Sequence, residues 1–370
     1  GLYEYDRDMN VLPFTSGGIP HHESVFAWSM VRTADSSAIW IASQPGLWKI
    51  DQRTWQASYY NPAVFQNKTA RKIAEDKDGN LWIGFFKIGL FKWNKAKGSE
   101  RFEDGLEKIK AVPDGHVGQI LVDSRGYIWV TMGFEGVMVL DPHTNKKIAQ
   151  FSPNSSGGKK IPEPAVASVL QYNDNVYIIA TSTYLLRYNW NTDKLDTLSS
   201  PDKIPGMYAS LEKDAEGFVW ASTSAGLFRV NTNRFIISRF GEASGINSEQ
   251  FVHLSSIRLA DGRMLFGAVR QFIVFNPSNV QAKKGKPNLQ LTSFKAEGRP
   301  LLVDSLQQLS RAELGYRNNS LAISFSTMLY SGGYAILYKL EGLDKEWRIA
   351  DKSNEAIYSY LPPGNYTFLL

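Results

Sequence analysis

The chain has 370 residues, 43% of them hydrophobic, enough to bury a large core and to form two domains. Its 41 Lys and Arg against 36 Asp and Glu leave a net charge of +5 with no run of five or six basic residues, which argues against nucleic acid as a partner. Cysteine is absent, excluding disulfides, thiolate metal sites and cysteine nucleophiles together.

From the N-terminus, residues Gly1 to Asn10 show neither the basic start nor the apolar run of a signal peptide, and no stretch approaches the roughly 18 apolar residues of a membrane helix. The chain reads as soluble as given, which is compatible with its being a piece of a longer, membrane-anchored protein. Gly1 to Asp6, GLYEYD, looks like the third strand of a unit whose beginning is missing. A repeat then dominates. Glu75 to Trp93 reads EDKDGNLWIGFFKIGLFKW, Val122 to Asp141 reads VDSRGYIWVTMGFEGVMVLD, and Glu212 to Asn231 reads EKDAEGFVWASTSAGLFRVN. Each has a polar Gly turn, an apolar residue with Trp two positions on, a small residue, a second turn and an apolar strand.

Weaker copies are Ser36 to Asp51, Asp174 to Asn189 with Tyr177 in the Trp position, and Asp261 to Asn276 with Leu265 there. The marks Trp40, Trp82, Trp129, Tyr177, Trp220 and Leu265 recur in steps of about 42 to 48 residues, the period of a propeller blade. Arg71 to Glu75, Leu81 to Gly84 and Leu90 to Trp93 read as successive antiparallel strands, and Ala70 to Asp78 is too short for a crossover helix. The expectation is an all-β propeller of seven blades, the first incomplete, over residues 1–282. The Trp residues fill the seams between blades. Asp76, Asp123 and Asp214 cap their own turn backbones.

At Lys283 the rhythm changes. Lys283, Lys284 and Lys286 beside Gly285 and Pro287 read as a solvated linker, followed by strands at Leu289 to Ala296, Ser320 to Ser326, Leu337 to Leu340, Ala356 to Tyr360 and Tyr366 to Leu370. Alternation places Leu321, Ile323 and Phe325 on one face, as a half-buried strand requires. Residues 283–370 are therefore expected to form an Ig-like β-sandwich, truncated at its C-terminal end.

YKLEGLDKEW (Tyr338 to Trp347) followed by AIYSYLPPGNYTFLL (Ala356 to Leu370) resembles the tyrosine-marked Ig-like domain that follows two-component regulator propeller repeats in the sensor regions of hybrid two-component systems. The propeller copies resemble those repeats too, with Asp76, Gly79 and Trp82 in the marked positions; Tyr177 and Leu265 depart from the pattern. The resemblance implies a periplasmic ectodomain of an inner-membrane protein that senses a carbohydrate, an oligosaccharide, and signals through a membrane helix to a histidine kinase and transcription regulation elsewhere in the full-length chain. It also implies a homodimer. Tyr338, Tyr360 and Tyr366 are then expected to carry their rings in the sandwich core.

Chemistry within the chain finds little support. The five histidines, His21, His22, His116, His143 and His253, show no His-x-x-x-His or His-x-His spacing, and no Gly-x-Ser-x-Gly occurs. No metal, cofactor or catalytic residue is assigned. A propeller lyase or a glycosidase with two facing carboxylates stays open as a lesser alternative, and so does a protein-interaction scaffold. In a propeller the loops entering each inner strand and the turns between second and third strands share one face. That places His22, Lys87, Tyr184, Tyr208, Gln250, Arg270 and Gln271 as candidate ligand-binding residues, with aromatic faces for sugar C–H surfaces and Lys87 and Arg270 for acidic groups.

Overall fold

A computed structural model describes the chain apart from residues 16, 20, 21, 234, 235, 241–250, 281–288, 302–310, 316–318, 328–335, 345, 351 and 352. It divides into two compact units, the larger closing at Phe275 and the bulk of the smaller opening at Asn276. The basic linker and Gln250 lie outside the described residues.

The repeat folds into antiparallel sheets with consecutive strands side by side. Blade 1 comprises Ala27–Arg32, Ala38–Ser43, Leu47–Asp51 and Ala57–Tyr60, and blade 2 Ala70–Glu75, Leu81–Phe85, Leu90–Trp93 and Leu106–Lys108. Blade 3 comprises Val117–Val122, Ile128–Met132, Gly136–Leu140 and Lys147–Phe151, and blade 4 Val166–Asn173, Val176–Thr181, Leu185–Asn189 and Lys194–Ser199. Blade 5 has Tyr208–Lys213, Val219–Thr223, Gly226–Asn231 and Ile236–Phe240; blade 6 has three strands, Phe251–Arg258, Met264–Ala268 and Phe272–Phe275. Glu4–Tyr5 pairs with Val11–Leu12 as a two-stranded hairpin, in keeping with the third and fourth strands of the incomplete blade. The Tyr5 ring meets Phe272 of blade 6 edge-on at 5.5 Å, while Leu2 and Ile19 pack on Ile41 and Ile50 of blade 1.

Each marked Trp lies in a seam. Trp82, Trp129 and Trp220 are among the largest fully buried side chains, and Trp82 packs with Val117, Ile128 and Val130 of the next blade. The turn Asp holds each Trp from below. Asp76 accepts from the backbone N–H groups of Asp78 and Asn80 and from Trp82 Nε1 at 2.9 Å. Asp123 does so with Arg125, Tyr127 and Trp129 Nε1 at 3.0 Å, and Asp214 with Phe218 and Trp220 Nε1 at 2.9 Å. One carboxylate thus satisfies both the tight turn and the buried indole N–H, leaving neither unpaired in the seam. In blade 4, Tyr177 replaces Trp and sends its hydroxyl to Asp123 of blade 3 at 2.7 Å, its ring stacked on Trp129.

The second unit is an Ig-like sandwich. One sheet orders Arg299–Leu301, Gln290–Ala296, Leu321–Ser326 and Glu355–Tyr358, and the other Arg348–Ile349, Leu337–Glu341 and Thr367–Leu369. Leu321, Ile323 and Phe325 share its core with Ile336, Leu340, Ala356 and Tyr358. Tyr338 and Tyr366 pack against that core, and the Tyr366 hydroxyl donates to Pro362 O at 2.8 Å. Tyr360 does not: it is 68% exposed. The core position belongs to Tyr358, the last residue of the strand Glu355–Tyr358, whose hydroxyl donates to Asp344 at 2.8 Å, while Tyr360 lies beyond the strand's end.

Candidate functional site

All six inner strands slip register against their neighbour near their N-terminal ends. The shifts fall between Ala27 and Ser29, Ala70 and Lys72, Val117 and Ile120, Val166 and Ser168, Tyr208 and Ser210, and Phe251 and Ser256. A bulge inserts unpaired residues and re-aims their side chains. Repeated in the inner strands, it takes one or more residues per blade out of the ladder at the same end of the strand.

In blades 1 and 2 the bulge residues are Trp28 and Arg71. The Arg71 guanidinium lies over the Trp28 ring, 3.8 Å from its centroid, and 5.8 Å from that of Phe86. His116, at the entrance to blade 3, meets Phe86 edge-on at 5.5 Å. Gly84, the cross-strand partner of Lys72, lets blade 3 approach closely: a Cβ there would come within 2.4 Å of Val117 Cγ1. In blade 6 the bulge is longer, with Leu254 in the left-handed region at φ 53, and it carries His253 close to the Ala167 backbone in blade 4. Residues from blades 2, 3, 4 and 6 interact together only near the axis, so Arg71, Lys72, His116 and His253 mark the mouth of the central channel.

The electrostatics agree with that placement. Burial pulls the Lys72 amine down to about 8, with Arg71 adding to the shift. His253 keeps solvent contact along the channel, yet enclosure by the inner strands pulls its imidazole down to about 4, with Lys72, His116 and Arg71 opposing the cation. His116 is lowered by burial and then by Arg71 and Lys72. Both imidazoles are therefore neutral at pH 7 and serve as hydrogen-bonding groups, whereas Arg71 and Lys72 supply positive charge in a partly desolvated site.

A rim surrounds this mouth. The second-to-third strand turns bond to the entry loops of their own blades, through Gln44 N to Phe26 O, Phe86 N to Thr69 O, Gly133 N to His116 O, Ser182 N to Ala165 O and Ser224 N to Met207 O. Lys87 N to Gly115 O and Tyr208 N to Ser182 O tie neighbouring blades on the same face. Phe26, Phe86, Phe134, Met207 and Val269 on these segments are exposed, at 68%, 40%, 82%, 63% and 64%. The site is thus a cationic channel mouth within an apolar, partly aromatic rim, the pattern that binds a polar ligand with C–H faces.

The residues expected from sequence divide accordingly. Lys87 sits on the rim with its amine 5.6 Å from the Phe86 ring centroid. Arg270 and Gln271 are exposed in the corresponding turn of blade 6. Tyr208, by contrast, is 4% exposed beside Ser199, burial pushing its hydroxyl pKa up, and Tyr184 packs its ring into the core shared by blades 3 and 4. His22 stacks on Phe14 at 4.3 Å and contacts Leu2 O through Nδ1 at 2.9 Å, pinning the N-terminal segment instead of joining the channel group. Gln250 is outside the described residues. Trp28, Arg71 and Lys72 escaped the sequence reading, which weighs His116 and His253 only as histidines without metal-ligand spacing. Aligning the six inner strands on their first buried residue would have exposed them, because Arg71, Lys72 and His253 stand where blades 4 and 5 carry Ala and Ser.

With this geometry in view, residues 65–87 match the family described as Two component regulator propeller, and residues 330–370 match the Y_Y_Y domain. The chain carries two-component regulator propeller repeats followed by a Y_Y_Y domain. A relative named histidine kinase P4, from Formosa agariphila, is 23% identical over 90% of this chain, which spans 25% of that protein's length. The extracellular domain of a hybrid two-component system from B. thetaiotaomicron superposes with a TM-score of 0.61 at 18% identity, covering 92% of this chain and 46% of that one. Virginiamycin B lyase from Staphylococcus aureus shares the propeller fold, with a TM-score of 0.54 at 14% identity over 74% of this chain and 86% of the lyase. Among the described residues no helix is long and apolar enough to cross a membrane, and no group of three His, Asp or Glu side chains is placed to hold a metal ion.

Proposed function

We propose that this propeller and Y_Y_Y domain form a periplasmic ligand-sensing region of a hybrid two-component system, that the channel mouth binds an oligosaccharide, and that the Y_Y_Y domain relays occupancy through a membrane helix to a histidine kinase in the full-length protein. The observation that carries the reading is the convergence of Arg71, Lys72, His116 and His253 on the axis inside a rim of exposed Phe26, Phe86 and Phe134. Sugar rings offer C–H faces to aromatic side chains and hydroxyls to fixed donors, and this mouth supplies both. The two-component regulator propeller and Y_Y_Y matches support the sensor assignment, and the extracellular solved relative supports the location.

A lyase reading finds less support, since the two channel imidazoles are gathered with cations and a divalent ion there would meet Arg71 and Lys72. A second reading, a scaffold that docks a protein on this face, draws on the exposed Met207 and Val269. A thermal-shift screen of the purified chain against neutral and acidic oligosaccharides separates the two. A ligand at a hundred times its Kd raises stability by about 2.7 kcal/mol, and Phe86→Ala should abolish that shift. Absence of a shift with every glycan would overturn the oligosaccharide reading in favour of a protein partner.

A further inference from the structure

We infer that the channel mouth binds an anionic group of its glycan, a carboxylate or sulfate ester, between the Arg71 guanidinium and the Lys72 amine. This deepens the oligosaccharide reading and rests on it. The Arg71 guanidinium is held against the Trp28 ring at 3.8 Å, and among the described residues neither the Arg71 nor the Lys72 side chain makes a hydrogen bond or ion pair. Planar, fixed guanidinium edges suit carboxylate and sulfate, whose oxygens accept two parallel bonds.

The groups facing Lys72 are Arg71 on its own strand, His116 from blade 3 and His253 from blade 6. The matching bulge positions of blades 1, 4 and 5 are Trp28 and Ser29, Ala167 and Ser168, and Ala209 and Ser210, none of them charged. Carboxylates on the neighbouring entry loops are engaged elsewhere, Asp114 with Lys108 at 2.6 Å and Glu163 with Thr181 and Thr183 at 2.7 Å. Two adjacent cations in a partly desolvated channel, with no carboxylate paired to them among the described residues, are costly as they stand. An anion removes that cost, while a neutral sugar does not.

The proton linkage follows in sign. The Lys72 amine is depressed to about 8, so near that pH a large share of it is neutral, and a bound anion raises its pKa. Binding then takes up protons at pH 8, and affinity falls as pH rises from about 7 to about 9, where the ligand's own charge is constant.

Isothermal titration of the chain with tetragalacturonate and a chondroitin sulfate tetrasaccharide, each beside its carboxyl-reduced or desulfated counterpart, tests this. At least one charged probe should bind about tenfold or more tightly than its neutral counterpart. Its binding heats at pH 8 should differ between buffers of different ionisation enthalpy, reporting proton uptake by the unaltered protein. Arg71→Gln and Lys72→Met should each weaken that probe about tenfold, and Lys72→Met should also flatten the pH dependence. Which charged probe wins distinguishes carboxylate from sulfate. Equal affinity for charged and neutral probes, or no proton uptake, overturns the anion site while leaving the glycan reading standing. Failure of all four to bind, together with a silent thermal-shift screen, overturns both.

Discussion

In blade 3 the turn carboxylate of Asp123 points inward. It is 2% exposed and accepts from two backbone N–H groups, from Trp129, from Tyr177 of the next blade and from Arg125. In blade 6 the same turn is opened by Leu259, whose N–H donates to Arg263 O and whose carbonyl accepts from Gly262, so no carboxylate stands at that position, and Leu265 offers no indole N–H; the acid of this turn is Asp261, two residues on. There the carboxylate faces out to Arg263 at 2.8 Å and to Arg7 of the N-terminal segment at 3.9 Å. The same short turn therefore opens on a buried carboxylate where a Trp follows it, and on Leu259, with its acid displaced into a solvated ion pair, where Leu265 does. A cavity of about 690 Å³ lined by Tyr5, Arg7, Asp261, Leu265 and Phe272 lies where the N-terminal hairpin meets blade 6. A seam needs the indole both to fill volume and to give the carboxylate a buried partner.

The largest effect should come from emptying the sealed seams. Trp82→Ala, Trp129→Ala and Trp220→Ala should each cost about 3 to 5 kcal/mol, because each removes a fully buried ring from packed surroundings. Each also removes the indole donor from the carboxylate of Asp76, Asp123 or Asp214. Leu265→Ala, beside the open cavity of blade 6, should cost less than any of them. Thermal or urea melts of the four variants check the ranking; a Leu265→Ala loss as large as the Trp losses would show that the two kinds of seam are equally packed.

The second effect is smaller and carries a pH signature. Burial works to raise the Asp123 pKa, but hydrogen bonds from Tyr177, Trp129, Arg125 and Tyr127 outweigh it and hold the folded value below the ordinary one of 3.8. A carboxylate depressed on folding stabilises the protein above its unfolded pKa, and the contribution is lost as pH falls through the lowered folded value. Stability should thus decline below about pH 4. Asp123→Asn should remove that part of the slope and lower stability at pH 7 by about 1.5 to 3 kcal/mol, the scale of hydrogen bonds to a charged group. An acid-unfolding profile unchanged by Asp123→Asn would show that other carboxylates govern it.

The two units also differ in how much their residues disclosed. The blade marks, the Asp turns and the sandwich strands were legible because each depends on neighbours within a few residues: Asp76 caps Asn80 and receives Trp82, and Leu321, Ile323 and Phe325 alternate. Register errors of two residues were not excluded by such patterns, since nothing in them announces that the strand ends at Tyr358, which leaves that ring in the core and Tyr360 outside it. The channel mouth was the least legible part. Its members lie up to 225 residues apart, Trp28 to His253, and are joined only by closure of the ring and by a bulge that no residue type announces. Tyr184 and Tyr208 drew notice as aromatic loop residues, yet packing took both rings inward.

The smallest expected effect is at Asp261. Its carboxylate is held below the usual value by the Arg263 backbone N–H and side chain, with Arg7 contributing last, yet it is solvated throughout. Exposed ion pairs gain little because water already stabilises both partners, and salt screens what remains. Asp261→Asn should keep the turn, since the amide oxygen can still accept from Arg263 N as Asp261 Oδ1 does at 3.0 Å. The melting temperature should therefore hardly move, and whatever change occurs should vanish at about 1 M salt, where the screening length is about 3 Å. A large, salt-insensitive loss would mean that Asp261 anchors the N-terminal segment through Arg7, and that ring closure, like the Trp seams, relies on a carboxylate the solvent does not reach.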